Sequence, residues 1–241
     1  MANQKKGSNN TSAKVIFWMV GVVAVIIMGF IFFAPHKSQN TAGPKVEAYK
    51  GKSSAPVDYT NQPYLGKSSA PVSIIEFGDY KCPYCKMFNE KVVPIIKQKV
   101  DKGEAKLYFI NYSFIYTDST RAAKFAESVY AVLGNGTFWK FHDLLYQKQP
   151  EDTKYEKMDI YDGKFLTETL KEIVSDEDVN RVVQYFDAKK ADPAWQKDMD
   201  LVNTLNVTGT PTIFVNGKLA KTMDDLLNMV DKAANENEMN E

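Results

Sequence analysis

The sequence predicts an α/β fold in which a strand–helix–strand unit and a late β-hairpin with a closing helix are separated by a block of helices, all preceded by a membrane-spanning helix. Three observations carry this. A short apolar run rich in β-branched residues, 72–77, runs straight into Cys82-Pro83-Tyr84-Cys85 and then into helical spacing. Asn216-Gly217, the favoured two-residue turn, lies between two short strand-like runs near the end. Residues 15–34 are 20 successive positions without a charge, enough for a helix of roughly 30 Å, the thickness of a bilayer core.

In order, residues 1–14 are polar, rich in Asn, Lys and Ser, and read as a cytoplasmic tail. Residues 15–34 read as an uncleaved transmembrane anchor. A cleaved signal peptide has a shorter apolar region and a small-x-small site, whereas Phe32 is bulky and Pro35 is a poor residue after a cut. No cysteine follows to carry a lipid. Lysines flank both ends of the span, so charge does not set its orientation. The domain is placed outside because a short tail ahead of a single span is normal for a signal anchor.

Residues 35–70 read as a stalk, in which Gly-Lys-Ser-Ser-Ala-Pro-Val occurs twice, at 51–57 and 66–72. Two copies make no repeat architecture. The first part of the folded domain, 71–117, holds strand 72–77, a helix over 86–100 kinked at Pro94 and strand 105–112. A helical insertion follows over 118–191, with helices at 118–132 (capped by Asp118 or Ser119), 138–147, 165–174 and 176–189. The second part, 192–234, holds a helix at 192–205, strands 212–215 and 218–220, and a helix capped by Thr222. Residues 235–241 are a polar tail. Strand, helix, strand, helical block, hairpin, helix is the order of a thioredoxin-like core with an inserted helical domain.

The chain has 241 residues and a formal net charge of +0. That suffices for one sizeable core and lacks the basic excess of a nucleic-acid surface. The only two cysteines, Cys82 and Cys85, stand two residues apart. A disulfide across so short a loop restrains the unfolded chain weakly, so the pair reads as chemical. At a helix N-terminus the first sulfur faces unpaired N–H groups and the positive end of the helix dipole, which favour a thiolate. Cys82 is then the exchanging sulfur, expected to be exposed at the helix tip, and Cys85 the resolving one. Zinc would need about four ligands, and the chain offers these cysteines plus His36 and His142; covalent haem would need histidine where Lys86 stands. No metal and no cofactor are therefore expected beyond a redox-active Cys82–Cys85 disulfide.

Glu76, inside the apolar strand, would be desolvated with a raised pKa and could exchange a proton with Cys85; the alternative is an ion pair with a lysine such as Lys106. Thr210-Pro211, just before a strand, stands where a cis peptide would let backbone groups pair with an extended substrate. On base rates alone an ordinary trans proline is the expectation. His142, beside Trp139 and Phe141, reads as a packed core residue. Tyr108, Phe109, Tyr112, Phe114 and Tyr116 supply core, and some of them an apolar groove for unfolded substrates. The acidic residues between 151 and 200 read as solvated helix faces.

The run Pro71-Val72 to Glu76-Phe77 followed by Cys-Pro-x-Cys, the segment Phe138-Trp139-Lys140-Phe141-His142-Asp143, and Gly209-Thr210-Pro211-Thr212-Ile213-Phe214-Val215-Asn216-Gly217 together resemble the DsbA family of disulfide oxidoreductases over roughly residues 60–234. With the anchor, the chain is similar to the BdbD-type members of single-membrane bacteria. The resemblance implies that Cys82 is the nucleophile, Cys85 the resolving thiol, Glu76 the buried carboxylate and Pro211 cis. It implies exported proteins with free thiols as substrates, and a DsbB/BdbC-like membrane quinone reductase as the partner that restores the disulfide. Tyr84 departs from the histidine of the best-known members and removes a positive charge near Cys82. The expected function is disulfide formation outside the cytoplasm. Related motifs span about −270 to −120 mV, or about 7 kcal/mol for two electrons, so a reductase is the enzymatic alternative and a tethered peptide-binding holdase the non-enzymatic one.

Overall fold

A computed structural model describes residues 58–238. The expected tail at 1–14, the anchor at 15–34 and most of the stalk lie outside the described residues, as do residues 239–241. No helix among the described residues is long and apolar enough to cross a membrane.

Among the described residues, five strands form one sheet: β1 (Tyr64–Leu65), β2 (Val72–Gly78), β3 (Ala105–Asn111), β4 (Thr212–Val215) and β5 (Lys218–Ala220), in the order β1-β3-β2-β4-β5. β2 and β3 run parallel, Val72 opposite Ala105 through Gly78 opposite Asn111. Parallel neighbours need a crossover, supplied by α1 (Pro83–Lys91) and α2 (Val93–Lys102). The single kinked helix expected over 86–100 is therefore two helices. Val92 separates them, and Pro94 lies in the first turn of α2, where its missing N–H costs nothing. Gly103 ends α2 at φ 81°, in the left-handed region that glycine enters without a steric penalty.

The stalk boundary also shifts. Residues 64 and 65 form an edge strand antiparallel to β3, and Gln62 is buried. Two residues are too few to show alternation, so the strand left no trace in the sequence pattern.

α3 (Thr117–Leu133), α4 (Asn135–Gln147), a 3-10 turn (Thr153–Lys157), α5 (Gly163–Lys171) and α6 (Asp176–Asp187) follow β3. Then come α7 (Asp192–Thr204), the hairpin β4–β5 and α8 (Met223–Glu238). Asn216 and Gly217 both take positive φ, 47° and 75°, as a twist-matched hairpin turn requires. α3 is capped by a reciprocal arrangement of Tyr116 and Ser119; Asp118 is buried and engaged elsewhere.

The central strands β2 and β4 are buried on both faces. One face of β2 carries Val72 and Ile74 into the larger core with Cys82, Cys85, Phe88 and Phe109. The other carries Ile75 and Phe77 into a second cluster with Ile110, Val202, Leu205 and Phe214. Strand side chains alternate, so Glu76 shares the face of Val72 and Ile74 and points to the side that holds the cysteines.

Candidate active site

α1 opens on the tetrapeptide. Cys82 is the N-cap, extended at φ −81° and ψ 117°, and Pro83 is the first helical residue. The Cys82 carbonyl accepts from the N–H groups of Cys85 (3.1 Å) and Lys86 (3.2 Å). Both cysteines are free thiols, and their environments differ. Cys82 is held down to about 7; the largest cause is a hydrogen bond from the Cys85 thiol, opposed by burial and aided by Thr210 and the N–H groups of Cys85 and Tyr84. Cys85 is pushed far up, first by burial and then by its hydrogen bond and charge interaction with Cys82. One sulfur favours the thiolate and the other the thiol.

The expectation of an exposed Cys82 is corrected: the residue is 3% exposed. Its thiol donates to the Thr210 carbonyl at 3.3 Å, so the loop before β4 closes over it. The motif's surface is carried instead by Pro83 and by Tyr84, which is 50% exposed. The Thr210-Pro211 peptide is cis, as the resemblance implies and against the base-rate expectation. A carbonyl acceptor favours the protonated thiol. The Thr210 hydroxyl, buried with no partner, is the group on that residue able to donate to a thiolate.

Glu76 is fully buried, and neither carboxyl oxygen has a hydrogen-bond partner. Burial, and secondarily the charge of Cys82, pushes its pKa well above the carboxylate range. The alternative pairing with Lys106 is not made; that ammonium bonds the Ser68 carbonyl at 2.7 Å. Burial therefore favours the protonated form of Glu76, which can hold or release a proton beside the dithiol.

His142 is enclosed by aromatic rings, the nearest that of Phe109 at 4.5 Å between centroids. Its Nδ1 meets the Tyr80 hydroxyl at 3.2 Å. Burial lowers its pKa to about 3, so the ring is neutral. Of the aromatic stretch, Phe109 is core, while Phe114 and Tyr116 are 50% and 36% exposed.

Two residues that drew no attention in the sequence stand in the turn before Cys82. Asp79 and Lys81 are both buried. The Lys81 ammonium donates to the carbonyls of Tyr155 (2.7 Å) and Met158 (2.6 Å) and to the Asp118 carboxylate (3.1 Å). Lys86 reaches the same connector through the Gln149 carbonyl at 2.8 Å and Glu151. Helical or strand periodicity cannot reveal these roles. A buried charge inside an otherwise apolar run next to the cysteines was the available signal.

A family model described as Thioredoxin matches residues 58–232. Disulfide bond formation protein D of Bacillus subtilis is 37% identical over 173 residues, which cover 68% of this chain and 72% of that protein. A probable disulfide bond formation protein D of Bacillus cereus is 36% identical over 237 residues, covering 93% of this chain and 97% of that protein. The crystal structure of oxidised BdbD from Bacillus subtilis superposes with a TM-score of 0.67 at 33% identity, over 74% of this chain and 95% of that one. The chain belongs to the BdbD-like, DsbA-type thiol–disulfide oxidoreductases.

One expectation for this BdbD-like enzyme needs a further correction. Not all the acidic residues between 151 and 200 are solvated. Asp198 is fully buried, takes the Gln62 side-chain amide at 2.7 Å and receives both the backbone N–H (3.0 Å) and the side-chain amide (2.8 Å) of Asn111. Asn111 also donates to buried Glu127 at 2.8 Å. Burial raises both carboxyls, that of Asp198 to about 6. This network binds the end of β3 to α3 and α7.

Proposed function

We propose that this BdbD-like enzyme introduces disulfide bonds into exported proteins outside the cytoplasm, tethered by residues 15–34 and reacting through Cys82-Pro83-Tyr84-Cys85. The observation that carries the reading is the asymmetry of the two thiols: Cys82 is held near 7 at the start of α1, while Cys85 is buried and raised. The similarity to proteins named disulfide bond formation protein D supports it.

In the reaction, a substrate thiolate attacks the Cys82 sulfur of the Cys82–Cys85 disulfide. A substrate–Cys82 bond forms, and the bond to Cys85 breaks. Cys85 leaves as a thiolate and takes a proton, with Glu76 as the nearby acid. The substrate's second thiolate then attacks the substrate sulfur of the mixed disulfide and expels Cys82 as a thiolate. Two electrons pass from substrate to enzyme. The low thiol pKa of Cys82 makes it the better leaving group in this second step. Backbone groups of the Thr210-Pro211 loop pair with the extended substrate. A membrane quinone reductase of the DsbB/BdbC class removes the two electrons and restores the disulfide.

The reduction potential against glutathione tests the direction. A value near about −120 mV supports an oxidase and one near about −270 mV a reductase. Two variants test the route. Cys85→Ala should accumulate mixed disulfides with exported proteins, and Cys82→Ser should abolish exchange. A Cys82→Ser chain that kept its full effect on substrates would place the activity in peptide holding.

A further inference from the structure

The turn between β2 and α1 contains a second buried carboxylate that the exchange chemistry above does not use. Asp79 lies three residues after Glu76 and three before Cys82, and is 1% exposed. Glu76 has no hydrogen-bond partner, whereas every neighbour of the Asp79 carboxylate is a donor. Oδ1 accepts from the N–H of Lys81 at 2.8 Å. Oδ2 accepts from the N–H groups of Phe114 (3.0 Å) and Ile115 (3.1 Å). The Ser119 hydroxyl adds a fourth hydrogen bond. Burial pushes the Asp79 pKa up from its ordinary value, and these four donors oppose that rise and favour the carboxylate form.

The main chain of the same residue reaches both cysteines. The Asp79 carbonyl accepts from the Cys82 N–H at 2.9 Å, and the Asp79 N–H bonds the Cys85 sulfur. Its side chain therefore holds the loop at 114–116, whose Phe114 and Tyr116 are solvent-exposed, and its backbone holds the dithiol. The Lys81 N–H that it satisfies would otherwise be an unpaired buried donor.

We propose that Asp79 is a positioning residue for disulfide exchange: by fastening the 114–116 loop to the turn that carries Cys82, it fixes the geometry in which N–H and S–H groups stabilise the Cys82 thiolate. The proposal rests on the exchange reading. It is specific to the arrangement of Asp79 because electrostatics alone gives the opposite sign. Removing a negative charge near a thiol makes the thiolate easier to form, whereas loosening the groups that donate to that thiolate makes it harder.

The test is Asp79→Asn, which keeps the shape but places an amide donor among N–H groups. The readout is the pH midpoint of iodoacetamide alkylation of Cys82 in the full chain, far below the melting temperature. The expected result is a midpoint raised by about half a pH unit or more, roughly a threefold fall in the thiolate-to-thiol ratio at a given pH. Asp162→Ala serves as the control. It removes the side-chain cap of α5, where Asp162 accepts from the Phe165 N–H at 2.7 Å, and should lower stability without moving the midpoint. A lowered or unchanged Asp79→Asn midpoint overturns the proposal. If that variant does not fold, Ser119→Ala decides: it removes one donor from the carboxylate and should raise the midpoint in the same direction, and a midpoint equal to the parent's rejects the assignment. A parent chain that oxidises no dithiol peptide would instead overturn the exchange reading itself.

Discussion

The thiol of Cys82 and the carbonyl of Thr210 lie 3.3 Å apart, 128 residues apart in the chain, so the residue before the cis proline forms the roof over the sulfur. Thr210 also holds a buried hydroxyl with no partner in the dithiol form. When the thiolate forms, that hydroxyl can turn to donate. Thr210→Val keeps the size and removes the donor. Its Cys82 alkylation midpoint should rise above the parent's, which is expected at about 7 from the lowered pKa of the thiol. A midpoint that stayed at the parent value would show that the thiolate relies on α1 and Cys85 alone.

Glu76 should make the enzyme's stability depend on pH. Its folded pKa is raised well above the value of a solvated carboxyl, chiefly by burial. The stability linked to this group is fully present below its unfolded pKa of about 4.3 and is lost as pH rises toward the folded value. Glu76→Gln cannot ionise and lacks that loss. Denaturant titrations from pH 4 upward should show the variant gaining on the parent as pH increases, and parallel curves would rule the idea out. Loss of the acid should also slow protonation of departing Cys85, so kcat for peptide oxidation should fall in Glu76→Gln even though the fold is more stable.

Lys81 and Asp118 form a buried ion pair at 3.1 Å, with side chains 1% and 0% exposed. Removing one partner strands the other charge in the interior. Lys81→Met should cost about 3–5 kcal/mol in chemical denaturation, and Lys81→Met with Asp118→Asn should recover a good part of that loss. A double variant no better than the single one would mean that the Tyr155 and Met158 carbonyls, and not the carboxylate, set the cost.

Features whose cause is local were readable from the chain. Asn216-Gly217 gave the hairpin because only a twist-compatible turn fits two residues. Thr222 gave the last cap, its hydroxyl accepting the Asp225 N–H at 3.1 Å. Glu76 stood out as a carboxylate inside an apolar strand six residues before Cys82, a setting that implies burial. Features whose cause is distant were not readable. Asp118 looked like a cap and Asp198 like a solvated face because their partners, Lys81 and Gln62, lie 37 and 136 residues away. The near-burial of Cys82 depends on Thr210, which only the folded sheet brings alongside. The edge strand β1 has two residues, below any detectable period.

The polar groups that tie the helical block to the sheet give the enzyme no clean seam. Cutting out residues 118–191 to leave a minimal redox module would remove Asp118 and both carbonyls from the Lys81 ammonium, and Glu127 from Asn111. The trimmed core would inherit a stranded cation beside its reactive sulfur. In this protein the helices are a structural partner of the catalytic turn, not ornament added to a self-sufficient scaffold.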